Sequence, residues 1–156
     1  MIYNVNEKIN AINREGDLLD LGLPQFLKGL IYQKSNDHDN AIIAFEKLLN
    51  YPPLFLSYYN MQYDGSDELV FLLMSQSHHQ LGDIESAREW IEKAHHIDSF
   101  GPRIQYQMAL LEHDDGNHEK AMEYLEYCLE IWKHADDDFP PLMEARAKLR
   151  SWNQIN

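Results

Sequence analysis

MSQSHHQLGDIESAREWIEKA, residues 74–94, and MALLEHDDGNHEKAMEYLEYC, residues 108–128, are two versions of one segment set 34 residues apart. Ser75 aligns with Ala109, Gly82 with Gly116, Ala87 with Ala121, Ile91 with Leu125 and Ala94 with Cys128. Self-similarity at a fixed period of this size marks stacked helix-turn-helix units, none of which can bury its apolar face alone. The spacing predicts an all-α array.

Working outward, the unit at 68–101 has a first helix carrying Leu69, Leu72, Leu73 and Met74, a turn at Gly82-Asp83, and a second helix with Ala87, Trp90, Ile91 and Ala94 at helical spacing. Ser99-Phe100-Gly101-Pro102 ends it, because glycine and proline break the pattern. The next unit, 102–135, repeats this through Gly116-Asn117 to His134. A weaker copy lies upstream at 22–55, with Gly29, Tyr32, Asn36-Asp37, Ala41, Phe45 and Leu48 at the same offsets. Ala41 to Ala87 is 46 residues, twelve more than the period, so an insertion is expected within 52–67, PPLFLSYYNMQYDGSD. That segment is too apolar for a free loop, and either packs internally or folds over a groove as a lid. Ile2, Val5, Ile9 and Ile12 form a stripe that reads as an N-terminal capping helix and connection over 2–20. Leu142, Ala145, Leu149 and Trp152 mark a capping helix over 140–155, covering the last repeat as an open-ended array requires. Residues 1–156 therefore read as a single domain.

The small residue, aromatic, Gly-Asn/Asp, Ala and large apolar residue at fixed offsets resemble the tetratricopeptide repeat family. Tyr32 keeps the aromatic of the first helix, whereas His78 and Glu112 depart from it. The family's proline at the close of the second helix is matched by Pro53, with Ser99 and Lys133 in the other copies. The resemblance implies a right-handed superhelical array with terminal capping helices, whose concave face, lined by first helices, holds a peptide. Facing inward would be Leu23, Phe26, Leu30 and Gln33; Leu69, Leu72, Gln76 and His79; and Arg103, Tyr106, Leu110 and His113. From these, Phe26, Leu30, Leu72, Gln76, His79, Arg103, Tyr106, Leu110 and His113 are the expected partner-binding residues. With Arg103 as the lone cation, capture of a C-terminal carboxylate is disfavoured and an apolar or amphipathic segment is expected.

A formal charge of −13, from 26 acidic and 13 basic side chains, repels phosphate backbones and anionic lipid. Neither nucleic acid nor a membrane is expected as a partner. No run of about 18 apolar residues is present, so no spanning helix is expected. A single cysteine and no secretory pattern point to the cytoplasm. Between Glu112 and Asp138 acidic residues far outnumber Lys120 and Lys133. This leaves a second reading, an acidic immunity or inhibitor protein that neutralises a basic toxin or nuclease. Catalysis is the least expected role. No HExxH, GxSxG or GxGxxG pattern occurs, and Cys128 stands where the repeat wants a small packed residue. No metal or cofactor is expected, a loose cluster of His113, His118 and Asp114 or Asp115 being the nearest approach. The first choice is a non-catalytic scaffold, adaptor or small chaperone. A homodimer is possible, with Trp152 as a candidate contact.

Overall fold

The computed structural model describes residues 23–50 and 66–153. The expected N-terminal cap and most of the insertion lie outside the described residues; Ser66 and Asp67, assigned above to the insertion, instead open a helix. The described residues form seven α-helices: α1 (Leu23–Lys34), α2 (His38–Leu49), α3 (Ser66–Gln80), α4 (Ile84–Ile97), α5 (Pro102–Asp114), α6 (His118–Ile131) and α7 (Pro140–Trp152), with a 3₁₀ turn at Trp132–His134. No strand occurs among them.

Each first helix turns into its second through the same device. The N–H of Asp37, Asp83 and Asn117 donates to the carbonyl of Tyr32, His78 and Glu112, five residues back. This closure needs one left-handed residue, and Asn36 (φ 59°), Gly82 (φ 77°) and Gly116 (φ 80°) supply it. Asp37 and Asp83 then cap α2 and α4 by accepting from Asn40 N and Ser86 N. The pairs α1–α2, α3–α4 and α5–α6 stack through α2–α3 and α4–α5, and the first helices α3 and α5 also touch. The result is a right-handed superhelical array.

Small residues at the crossings set the close approach. Ala41, Ala87 and Ala121 are wholly buried, as are Ser75 and Ala109. Phe45, Ile91 and Leu125, four residues past those alanines, fill the layers between helices. Beyond α6, Trp132 meets Phe139 edge-on at 5.9 Å. The faces of Leu142, Ala145 and Trp152 then close α7 over the last repeat. Trp152 is thus 6% exposed and is corrected from a surface dimer contact to a packing residue.

Candidate functional site

First helices and α7 together line an open groove of about 680 Å³. Gln33 comes from α1, Gln76 and Gln80 from α3, and Tyr106, Gln107 and Leu110 from α5; His38 adds the start of α2. The last helix contributes Glu144, Ala147, Lys148 and Ser151. Four glutamines punctuate the lining, beside Tyr106 and Leu110 of the expected wall.

Hydrogen bonds hold this surface in place. Gln33 Nε2 donates to Leu73 O at 3.1 Å and Ser77 Oγ at 3.2 Å, tying α1 to α3. Gln107 Nε2 lies 3.2 Å from His79 Nδ1, and His79 Nε2 lies 2.7 Å from Asp114 Oδ2. With the amide donating to Nδ1, the ring proton sits on Nε2 and is donated to Asp114. Burial alone would raise the Asp114 carboxyl, but the hydrogen bonds from His79 and His113 outweigh it and its pKa falls below the ordinary value. Tyr106 is pushed up to about 12 by burial, with Glu144 and Cys128 adding to the effect. It stays a neutral donor.

Of the expected partner-binding residues, Gln76, Tyr106 and Leu110 line the groove. Leu72 does not: it is 3% exposed and packs with Ile91, Ile104 and Leu111 between the second and third repeats. It is corrected from groove wall to core, because α3 is packed by both its own partner helix and its neighbours. Phe26 and Leu30 are half-buried against the first repeat's core, Phe26 lying 6.4 Å from the Phe45 ring. His113 stacks on Trp152 at 4.3 Å, with His118 5.0 Å away. Arg103 is exposed in the first turn of α5 and is absent from the groove lining. His38, Gln80, Gln107 and the α7 face escaped the sequence reading. The i, i+4 pair Ala147 and Ser151, opposite the apolar stripe of α7, was the available signal.

Beside the groove, Glu112 takes the place of the family's aromatic and is 3% exposed. Lys120 Nζ donates to it at 2.8 Å, Asn117 Nδ2 at 2.7 Å and Arg88 at 3.1 Å, while Arg88 also pairs with Asp115. Burial would raise this carboxyl, but the three donors hold it down at about 2. The cluster locks α4, α5 and α6 together. Cys128 is wholly buried, donates to Pro102 O at 3.1 Å, and has its thiol pushed up to about 12 by burial. A thiol so held is a packing group, not a nucleophile.

The fold is shared with solved structures of low identity. The crystal structure of MamA superimposes with a TM-score of 0.63 at 15% identity, over 91% of this chain and 72% of that one. The first tetratricopeptide domain of Spaghetti (RPAP3), bound to the HSP90 peptide SRMEEVD, gives 0.61 at 18% identity, over 87% and 93%. No curated protein matches in sequence. The sequence profile described as Tetratricopeptide repeat matches residues 25–53, 70–98 and 102–131, which is more than half of the length. With three matched repeats, a shared turn at each and the stacked helix pairs that follow from them, this chain belongs to the tetratricopeptide repeat family.

Proposed function

We propose that the chain is a non-catalytic protein-interaction module, a scaffold, adaptor or small chaperone that holds an extended, partly apolar segment of another protein in its groove. The observation that carries this reading is the lining itself. Gln76 and Gln80 present amides that can donate to and accept from a peptide backbone, while the Gln33 and Gln107 amide nitrogens are held by α3 and brace the surface beneath. Tyr106 and Leu110 offer one apolar seat, and Glu144 and Lys148 on α7 place both charge signs at its edge. A neighbour of the same fold solved with a peptide supports the mode, without indicating which peptide.

Affinity capture from native lysate with the wild type and with Gln76→Arg tests the proposal. A client retained by the first and lost from the second, with equal helical content and thermal midpoint, is the expected result. Equal capture by both overturns the groove as the binding site. The inhibitor reading keeps one supporting observation, the exposed row Glu119, Glu123, Glu126 and Glu130 on α6. Against it, Glu112, Asp114 and Asp115 spend their charge on internal partners. Client binding that collapses with added salt would favour that second reading.

A further inference from the structure

Phe100 is 74% exposed, far more than the other large apolar side chains left on the surface. An aromatic this open contributes nothing to the core, yet its turn is heavily braced. Its N–H donates to Asp98 Oδ1 at 3.0 Å, and its carbonyl accepts from Tyr127 Oη at 3.2 Å. Gln105 donates to Ser99 O in the same turn. Gly101 leaves room for the Asp98 carboxylate, since a Cβ there would lie 2.5 Å from Asp98 Oδ2. The backbone is fixed and the ring is left in water. Tyr127 links the turn to α6, where Ile131, one helical turn on, is 52% exposed; Ile97, three residues before Phe100, is 44% exposed. Ile97, Phe100, Tyr127 and Ile131 all lie outside α1, α3, α5 and α7, the helices that line most of the groove.

We propose that Phe100 and Ile131 form a second docking surface, for a basic amphipathic segment of another protein. Its apolar side chains seat on Phe100 and Ile131, and its lysines or arginines pair with Glu126 and Glu130. Charge decides the occupant. Glu123, Glu126 and Glu130 are exposed along the same stretch of α6 as Tyr127 and Ile131; of the cations near in sequence, Lys133 is paired with Glu130 and Arg103 is exposed at the start of α5. A second copy of this chain would bring its own net charge of −13 and the same acidic rim to the contact, so self-association is repelled. An open aromatic on a braced turn, beside a run of exposed carboxylates, is the arrangement of an interface hot spot.

The probe is a short helical peptide of lysine and leucine with one apolar face, titrated against the full chain and followed by NMR shift mapping. Two control peptides replace lysine by glutamate or leucine by alanine. Shifts should concentrate at Phe100, Tyr127 and Ile131 for the lysine–leucine peptide alone. Phe100→Ser should weaken binding at least about tenfold, the loss typical of a central aromatic anchor. Glu126→Lys with Glu130→Lys should weaken it as far and remove its salt dependence. The exposed positions leave the thermal midpoint unchanged, so misfolding cannot mimic these losses. Shifts scattered over the acidic surface, Phe100→Ser titrating like the wild type, equal binding of either control, or a homodimer that Phe100→Ser dissociates would overturn the proposal. Gln76→Arg should leave this titration untouched, so this surface and the groove stand or fall separately.

Discussion

Gly29 lies against the ring of Phe45 so closely that a Cβ on it would stand 2.2 Å from Phe45 Cε1. The ring is wholly buried and cannot swing away. Gly29→Ala would gain about 1 kcal/mol of helix propensity. Driving a methyl into a filled layer costs more, about 1–3 kcal/mol or beyond. We expect a net loss of about 1 kcal/mol in urea unfolding. Adding Phe45→Leu should lessen the further cost expected of a core truncation; strictly additive losses would show that the two residues do not collide.

Ser75 occupies the matching place in the second repeat, where its hydroxyl is wholly buried and finds no hydrogen-bond partner among the described residues. Removing an unsatisfied buried polar atom should stabilise by about 1 kcal/mol. Ala109, its counterpart in the third repeat, already lacks the hydroxyl. Calorimetry of Ser75→Ala should show a midpoint raised by about 2–4 °C; a lowered midpoint would mean that the hydroxyl is satisfied in solution.

Glu112 links stability to acidity. Its folded carboxyl is held at about 2, below the ordinary 4.5. Such a group stabilises fully above its unfolded pKa and loses that contribution as pH falls toward the folded one. The wild type should therefore lose stability between about pH 4.5 and 2 more steeply than Glu112→Gln. At neutral pH the glutamine variant should be less stable by about 2 kcal/mol, since Arg88 and Lys120 lose their shared anion. Parallel acid titrations of the two proteins would refute the linkage.

Leu72 and Gln76 sit one helical turn apart on α3, and the structure separates their roles. Leu72→Ala should cost about 2–4 kcal/mol through the cavity it leaves. Gln76→Arg should stay within about 0.5 kcal/mol of the wild type while obstructing the groove. Chemical unfolding of both variants, beside the capture assay, checks the division. A stable Leu72→Ala with lost binding would return Leu72 to the groove wall.

The turns and crossings were readable because single residue types are forced there. Gly82 and Gly116 take positive φ, Asn36 tolerates it, and Ala87 and Ala121 are wholly buried where helices cross. The groove lining was harder to read. Leu72, Leu73 and Met74 are consecutive buried residues on α3, with Val70 buried as well; the helix is enclosed on several sides, so its apolar pattern does not mark which side faces the concavity. Glu112 looked like a surface acid, because the convergence of Arg88 and Lys120 from two other helices is a tertiary fact. The α7 wall was read only as a cover, since its packing stripe is strong and its Ala147–Ser151 side is quiet.

The stack of Trp152 on His113 has a further outcome for assembly. Helical arrays of this kind can propagate by laying a new pair, or a neighbouring molecule, across the last second helix. Here that landing strip is occupied, and an incoming pair would first have to peel the indole from its imidazole and strip Leu142 and Ala145 off the layer beneath. The exposed flank of the last repeat is thereby turned into interior.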